Sequence, residues 1–450
     1  MRLIFSSAAA CAVMLAFAQG AQAQSFGGPP YYNGSLGLGG YIFGGALQGD
    51  PNLGDNFDRT ANVSVMERPH PDYAPLGISV GQFTIFPSIT TSLHYDDNIY
   101  AENLNTKGDE IFDLRGHVEA DSHFTTNTLN IFADVRQQSY DSYSSENSTT
   151  YDAGSHAVYT INRNTFFSVD MSYDHDIEPR TAVNGNLNSV SPIQYDNTSV
   201  SAAIVHDFDR LRIRGNAAYS YVSYDNNVTS TGAEVFESYR NHNEYSGNIE
   251  ADYVISPQQY LYVIGRATDD NYDLRPPAVP NNRDSTGEEI DFGGDLTLPQ
   301  LLKGRLEVGY FSKHFDSVQQ GTVSGPDVHG NIQYFPTQLT TVTLGVTRDF
   351  HDSGIVQAPS YLSTQTNIRL DHELLRNLII TGQVGYENDD FNGYGRTDNR
   401  ITAYLGGTYL LNRRVGIRVL YNFIHSLSSG VDHSINFDDD NVTASLVLSY

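Results

Sequence analysis

Val442-Thr443-Ala444-Ser445-Leu446-Val447-Leu448-Ser449-Tyr450 closes the chain. Val442, Ala444, Leu446, Leu448 and Tyr450 fall on one side of a period-2 pattern, and Thr443, Ser445, Val447 and Ser449 on the other. This is a β-strand with one largely apolar face, and the sequence stops on its last side chain. A water-soluble sheet gains little from a terminal strand that exposes an aromatic ring. An outer-membrane barrel does gain, because the last strand pairs with the first and its apolar face meets lipid. The expected fold is all-β: a transmembrane antiparallel up-and-down β-barrel.

The N-terminus points the same way. Arg2 precedes an apolar run, Leu3–Ala18, and then Ala21-Gln22-Ala23 before Gln24. A basic start, a short apolar core and a small-residue site read as a secretory signal peptide over residues 1–23, cleaved after Ala23. The single cysteine, Cys11, lies inside that run behind Ala8-Ala9-Ala10, a poor context for a lipid-anchored N-terminus. The mature chain then has no thiol for a disulfide or a thiolate metal site.

No later segment has the ~18 continuous apolar residues of a membrane helix. The mean hydropathy of −0.37 is that of a soluble protein. It suits a barrel equally well, since only alternate residues of each strand face lipid. The 30 Tyr and 22 Phe suit two interfacial girdles, and the 39 Gly a hydrated interior. A net charge of −27 argues against nucleic acid, whose phosphates it would repel.

Residues 24–76 differ from the rest. They are rich in Gly, Asn and Pro, with Leu36-Gly37-Leu38-Gly39-Gly40 among them, and show no sustained alternation. They read as a periplasmic segment, either a mobile tail or a plug tucked into the lumen. From residue 77 to 450 the pattern becomes repeated hairpins. Short turns fall near Asn162-Arg163-Asn164, Asp207-Phe208-Asp209, Ser256-Pro257-Gln258, Pro299–Gly304, Pro336-Thr337, Asp371–Arg376 and Leu411-Asn412-Arg413. Longer polar stretches lie between them, at Asp141–Thr150, Asp176–Gln194, Asp225–Asn241 and Asn271–Gly287. Short periplasmic turns and long extracellular loops are the two ends of such a barrel. About eighteen strands fit, enough for an aqueous channel unless something fills it.

Strand parity assigns the faces. Val415, Ile417, Val419, Tyr421 and Phe423 must meet lipid, which puts Arg414 and Arg418 inside. By the same test Arg115, Arg136, Arg212, Arg214, Arg305, Arg369 and Arg400 face the lumen. Inward carboxylates include Asp134, Asp170, Glu250, Asp252, Asp291, Asp295 and Glu307. Two readings follow for these nine arginines. They cross-link the wall with the carboxylates, or they form a charged constriction that selects solutes. In a hydrated lumen one pair contributes at most ~1 kcal/mol, so selection would need several acting together.

Chemical motifs are weak. His94-x-Asp96-Asp97 and Asp174-His175-Asp176 lie at outer strand ends, but adjacent residues on a strand point to opposite faces and neither run converges by itself. Asp371-His372-Glu373 falls in a periplasmic turn. Asp438-Asp439-Asp440 lacks the glycine and terminal glutamate of an EF-hand loop. Tyr140, Tyr143, Tyr151, Tyr224, Tyr239, Tyr245 and Tyr272 suit an outer aromatic girdle better than a sugar-stacking platform. The expectation is therefore a non-enzyme without catalytic residues, cofactor or metal.

Two stretches carry a resemblance. Arg68-Pro69-His70-Pro71-Asp72-Tyr73, with Leu76-Gly77-Ile78, Gly81, Phe83 and Pro87-Ser88 after it, is one. Tyr95-Asp96-Asp97-Asn98-Ile99-Tyr100 is the other. Together they resemble the opening of the putative β-barrel porin 2 family of Gram-negative bacteria. The resemblance runs from about Met66 to the C-terminus, resting beyond Tyr100 on barrel rhythm. It implies a porin-like channel in the outer membrane, with a role in capsule or exopolysaccharide export and a periplasmic export component as partner. The other expected partners are outer-membrane lipid and lipopolysaccharide, and the barrel-assembly machinery. Leu446, Leu448 and Tyr450 are similar to the C-terminal signal that machinery reads. A general diffusion porin and a plugged structural or surface-interaction barrel remain the alternatives.

Overall fold

Lipid imposes one requirement on a spanning sheet: every backbone N–H and C=O must find a partner within the protein, so the sheet has to close. The computed structural model describes residues 63–450 apart from 186–187, 257–258, 277 and 318–320. Among the described residues, eighteen long strands of 13 to 18 residues run from Phe83–Asp96 to Phe437–Ser449 and pair antiparallel in chain order. The last strand pairs with the first, from Ser88 opposite Ser449 to Asp96 opposite Asn441, and completes the ring. The expected leader and its expected cleavage after Ala23, residues 24–62, and Pro257-Gln258 of one expected turn lie outside the described residues.

At the seam the first strand is longer than its partner. Its lower part, Phe83–Ile85, pairs instead with the short strand Ile78–Val80. Gly77 opens that strand with φ of +68°, and a Cβ there would collide with Thr84. Its N–H donates to the Tyr450 carbonyl at 3.2 Å, so the seam stays hydrogen-bonded to its end.

Parity holds around the ring. Val442, Leu446, Leu448 and Tyr450 are exposed on the outer face, as are Leu306, Val308, Tyr310, Ile401 and Leu405, while Thr443, Ser445, Val447 and Ser449 are buried. Apolar side chains exposed in a band around a closed barrel are its lipid face. The connections sort as well. One end carries short turns such as 163–164, 338–339 and 413–414, and the other longer links such as 97–108, 179–192 and 225–241. One link on the long side has only two residues, Val356-Gln357. The strands it joins, Thr340–Ile355 and Ala358–Leu375, are among the longest, so the hairpin itself takes the place of a loop.

Candidate functional site

The lumen is where this architecture can act, and its contents follow from the inward parity. On the first strands, Arg115 and Arg136 stand directly opposite each other. Two guanidinium groups side by side repel, and each reaches diagonally away to a carboxylate. Arg115 Nε donates to Asp134 Oδ1 at 2.6 Å, and Arg136 pairs with Asp113. Further round, Arg214 lies 3.3 Å from Asp252, and Arg305 reaches Glu250 at 3.1 Å while stacking 3.8 Å above the Tyr262 ring. Arg212 pairs with Asp207, and Arg369 forks onto Asp371 at 2.8 and 2.9 Å. Arg400 lies 3.9 Å from Glu387. Arg418 occupies the inner face of Val415–Ser429.

Arg414 departs from its expected place. It is exposed in the turn before that strand, with its guanidinium 4.9 Å from the Tyr450 ring. The Arg414 N–H donates to Asn412 Oδ1 within the turn. Parity extrapolated one residue past the strand end fails because the turn, not the pleat, directs the side chain.

The outer mouth is crossed by residues 179–185. This segment leaves the fifth strand of the ring and reaches the thirteenth, fourteenth and sixteenth, almost opposite it. Arg400 Nη2 donates to the Thr181 carbonyl at 2.9 Å, and Arg396 Nη2 to the Val183 carbonyl at 3.2 Å. Asn184 accepts from the Gly354 N–H at 2.9 Å and donates to the Asp352 carbonyl at 3.3 Å. Val183 packs against Ala358, Tyr361 and Phe391 of the far wall.

Two buried arginines hold the base of this arrangement. Arg180 forks onto Glu146 at 2.9 and 3.0 Å and also donates to Ser189. Arg240 forks onto Glu178 at 2.8 and 3.0 Å and stacks 3.8 Å from the Tyr224 ring. Burial opposes the Arg240 charge, but the Glu178 carboxylate outweighs it and raises the pKa well above the usual arginine value. Three tyrosines expected in an outer girdle belong here instead: Tyr224, Tyr239 and Tyr272 are buried. The Tyr239 hydroxyl donates to the Gly354 carbonyl and that of Tyr272 to Asp352. Tyr151 and Tyr245 do lie on the exposed outer face.

The periplasmic mouth is entered by residues 63–75. The Val65 N–H donates to inward Thr341 Oγ1 at 2.9 Å, and Arg68 Nη1 to Glu373 Oε2 at 2.9 Å. Tyr73 packs on inward Leu410 and Val447. Of the acid-rich motifs, Asp371 is engaged by Arg369, His372 lies 3.0 Å from Thr340 Oγ1, and Glu373 accepts from Arg68. Asp174 accepts from Ser172, and His175 lies 2.8 Å from Asp196. Asp96 and Asp97 do converge, but with Asp439 across the seam. The two runs are separated by most of the chain, which no local spacing can reveal.

Several solved structures are similar to this chain. Pseudomonas aeruginosa OccK9 (OpdG) is 11% identical, with a TM-score of 0.44 over 82% of this chain and 98% of that one. Acinetobacter baumannii OccAB3 is 12% identical, at 0.44 over 82% and 100%. OccAB4 of the same organism is 10% identical, at 0.45 over 85% and 100%. No curated protein matches the sequence. A family model described as Putative beta-barrel porin 2 matches residues 70–450, the whole ring of strands included. The chain therefore belongs to this family, a porin-type β-barrel of the Gram-negative outer membrane.

Proposed function

We propose that the protein is a narrow, cation-preferring channel for small solutes, restricted at the outer mouth by residues 179–185 and at the periplasmic mouth by residues 63–75. The observation that carries this reading is the crossing of the lumen by residues 179–185, tied to the far wall through Thr181, Val183 and Asn184. A general diffusion porin is less well supported, because a wide pore would leave those backbone groups to water. Paired arginines support the sign of selectivity. Arg115, Arg136, Arg212, Arg214, Arg305, Arg369 and Arg400 each meet a carboxylate, all but Arg369 on another strand or turn, and so leave little free positive charge. Asp and Glu outnumber Lys and Arg by 53 to 26, which leaves a negative field to concentrate cations.

Passage of a polysaccharide chain, the role suggested by the family resemblance, is the finer alternative. It requires residues 179–185 and 63–75 to leave the lumen together, on docking of a periplasmic export component. In that case the seven paired arginines would act as wall braces for a wider conduit.

Single-channel recording of the full chain in a planar bilayer under a salt gradient tests the proposal. A small, steady conductance with a reversal potential of cation sign is expected. Anion selectivity would return the arginines to the role of a filter. Absence of current would favour a closed structural barrel or an export conduit that needs its partner.

A further inference from the structure

Away from the two mouths, three side chains of the inner wall converge, and a fourth joins them through His329. Glu289 comes from the strand Ser285–Leu298, Asp327 and His329 from Thr322–Thr337, and Asp349 from Thr340–Ile355. The strand Leu302–Phe315 runs between the first two and places Gly309 in the register row that joins Asp291 to Asp327. A Cβ at Gly309 would collide with the Asp291 carboxylate and the Ile290 carbonyl oxygen. The bare backbone there lets acidic groups from strands two apart approach over it.

One donor atom from each of Glu289, Asp327 and His329 lies within 4.8 Å of the others. His329 Nε2 is also 3.1 Å from Asp349 Oδ1 and 3.7 Å from Asp327 Oδ2. Asp327 is only 3% exposed, and neither of its carboxylate oxygens has a hydrogen-bond partner among the described residues. A buried carboxylate with no donor is costly unless a cation meets it. The nearby Arg266 is already engaged by Glu289, Asp291 and Glu307.

We propose that Glu289, Asp327, His329 and Asp349 bind a first-row divalent cation, for which Zn²⁺ is the probe. An imidazole nitrogen among carboxylates suits such an ion, whereas Ca²⁺ and Mg²⁺ favour oxygen alone. Ligands about 2.0–2.2 Å from a tetrahedral ion stand roughly 3.3–3.6 Å apart, so modest side-chain rotation closes the set. Glu289, His329 and Asp349 are each partly exposed, which gives the ion a path from the lumen.

The test uses the full chain, refolded in detergent, stripped by chelation and titrated calorimetrically with Zn²⁺ and separately with Ca²⁺. One Zn²⁺ per chain is expected, weakened at least tenfold by Asp327→Asn and by His329→Gln, and unaffected by His433→Ala in an exposed loop. Heat-dependent gel mobility shows whether each variant is folded. If the variants fail to fold, Co²⁺ added to the parent protein decides. Visible absorption displaced by Zn²⁺ supports the site, and its absence overturns it. Zn²⁺ binding that survives both substitutions, or Ca²⁺ binding of equal strength, also overturns the assignment.

Discussion

Residues 179–185 and residues 63–75 both enter the lumen, from opposite ends, but they are secured in different ways. At the outer mouth the anchors are Arg180 with Glu146 and Arg240 with Glu178, four side chains that are all buried and joined in two-pronged pairs. At the periplasmic mouth Arg68 meets Glu373 through a single prong; Glu373 is buried, but Arg68 is one-fifth exposed, and the exposed Arg376 lies 4.0 Å from the same carboxylate. A pair removed from water cannot be half-broken cheaply, because the partner is left charged and dry. Where one partner touches water, as Arg68 does, its guanidinium regains hydration when the pair opens, and Glu373 keeps Arg376 nearby. The outer crossing is accordingly part of the barrel's own packing, whereas the periplasmic contact is a tether whose arginine solvent can take up.

The sharpest way to break this contrast is Arg180→Ala. It strands the buried Glu146 carboxylate at a cost of about 3–5 kcal/mol, enough to release residues 179–185. A several-fold rise in single-channel conductance is expected, with new protease cleavage in that segment. Unchanged conductance would mean that the segment does not set the narrowest point. Removal of residues 24–75 should raise conductance by a smaller factor and leave the selectivity sign intact. A larger rise than that of Arg180→Ala would reverse the ranking of the two mouths. The smallest effect is expected from Arg68→Ala, measured as more frequent brief openings. Raising the salt to about 1 M, where screening acts within about 3 Å, should mimic it in the parent protein. The same salt should leave the Arg180 closure unmoved, and equal sensitivity at both mouths would remove the distinction.

The barrel itself was legible because lipid acts locally. Leu306, Val308 and Tyr310, or Val442, Leu446 and Leu448, carry the outward face in plain alternation, and the short turns announce themselves by Asn, Asp and Pro. Most of the inward arginines follow from the same parity, and Arg414 shows its limit, where a turn takes over. The partners of those arginines were only partly legible. Asp134 and Glu250 could be placed on the inner face, but the diagonal crossing of Arg115 and Arg136 depends on register between strands. Tyr224, Tyr239 and Tyr272 misled because an aromatic near a strand end suits a girdle and a packed interior equally well. The meeting of Glu289, Asp327, His329 and Asp349 had no local signal beyond Gly309, and an isolated glycine in a strand has several readings.

By itself, then, the sequence determined the number and spacing of the strands, the face each turns to lipid, and the sorting of long and short connections to opposite ends of the barrel. Each of these is a period-2 or turn pattern read over some ten residues. Only the tertiary structure decided what fills the ring. The Asn184–Asp352 contact joins residues 168 apart in the chain, and the Arg400–Thr181 contact joins residues 219 apart. Such contacts exist because closing the sheet brings distant walls within reach of one loop, and no local pattern encodes where a closed ring places its far side.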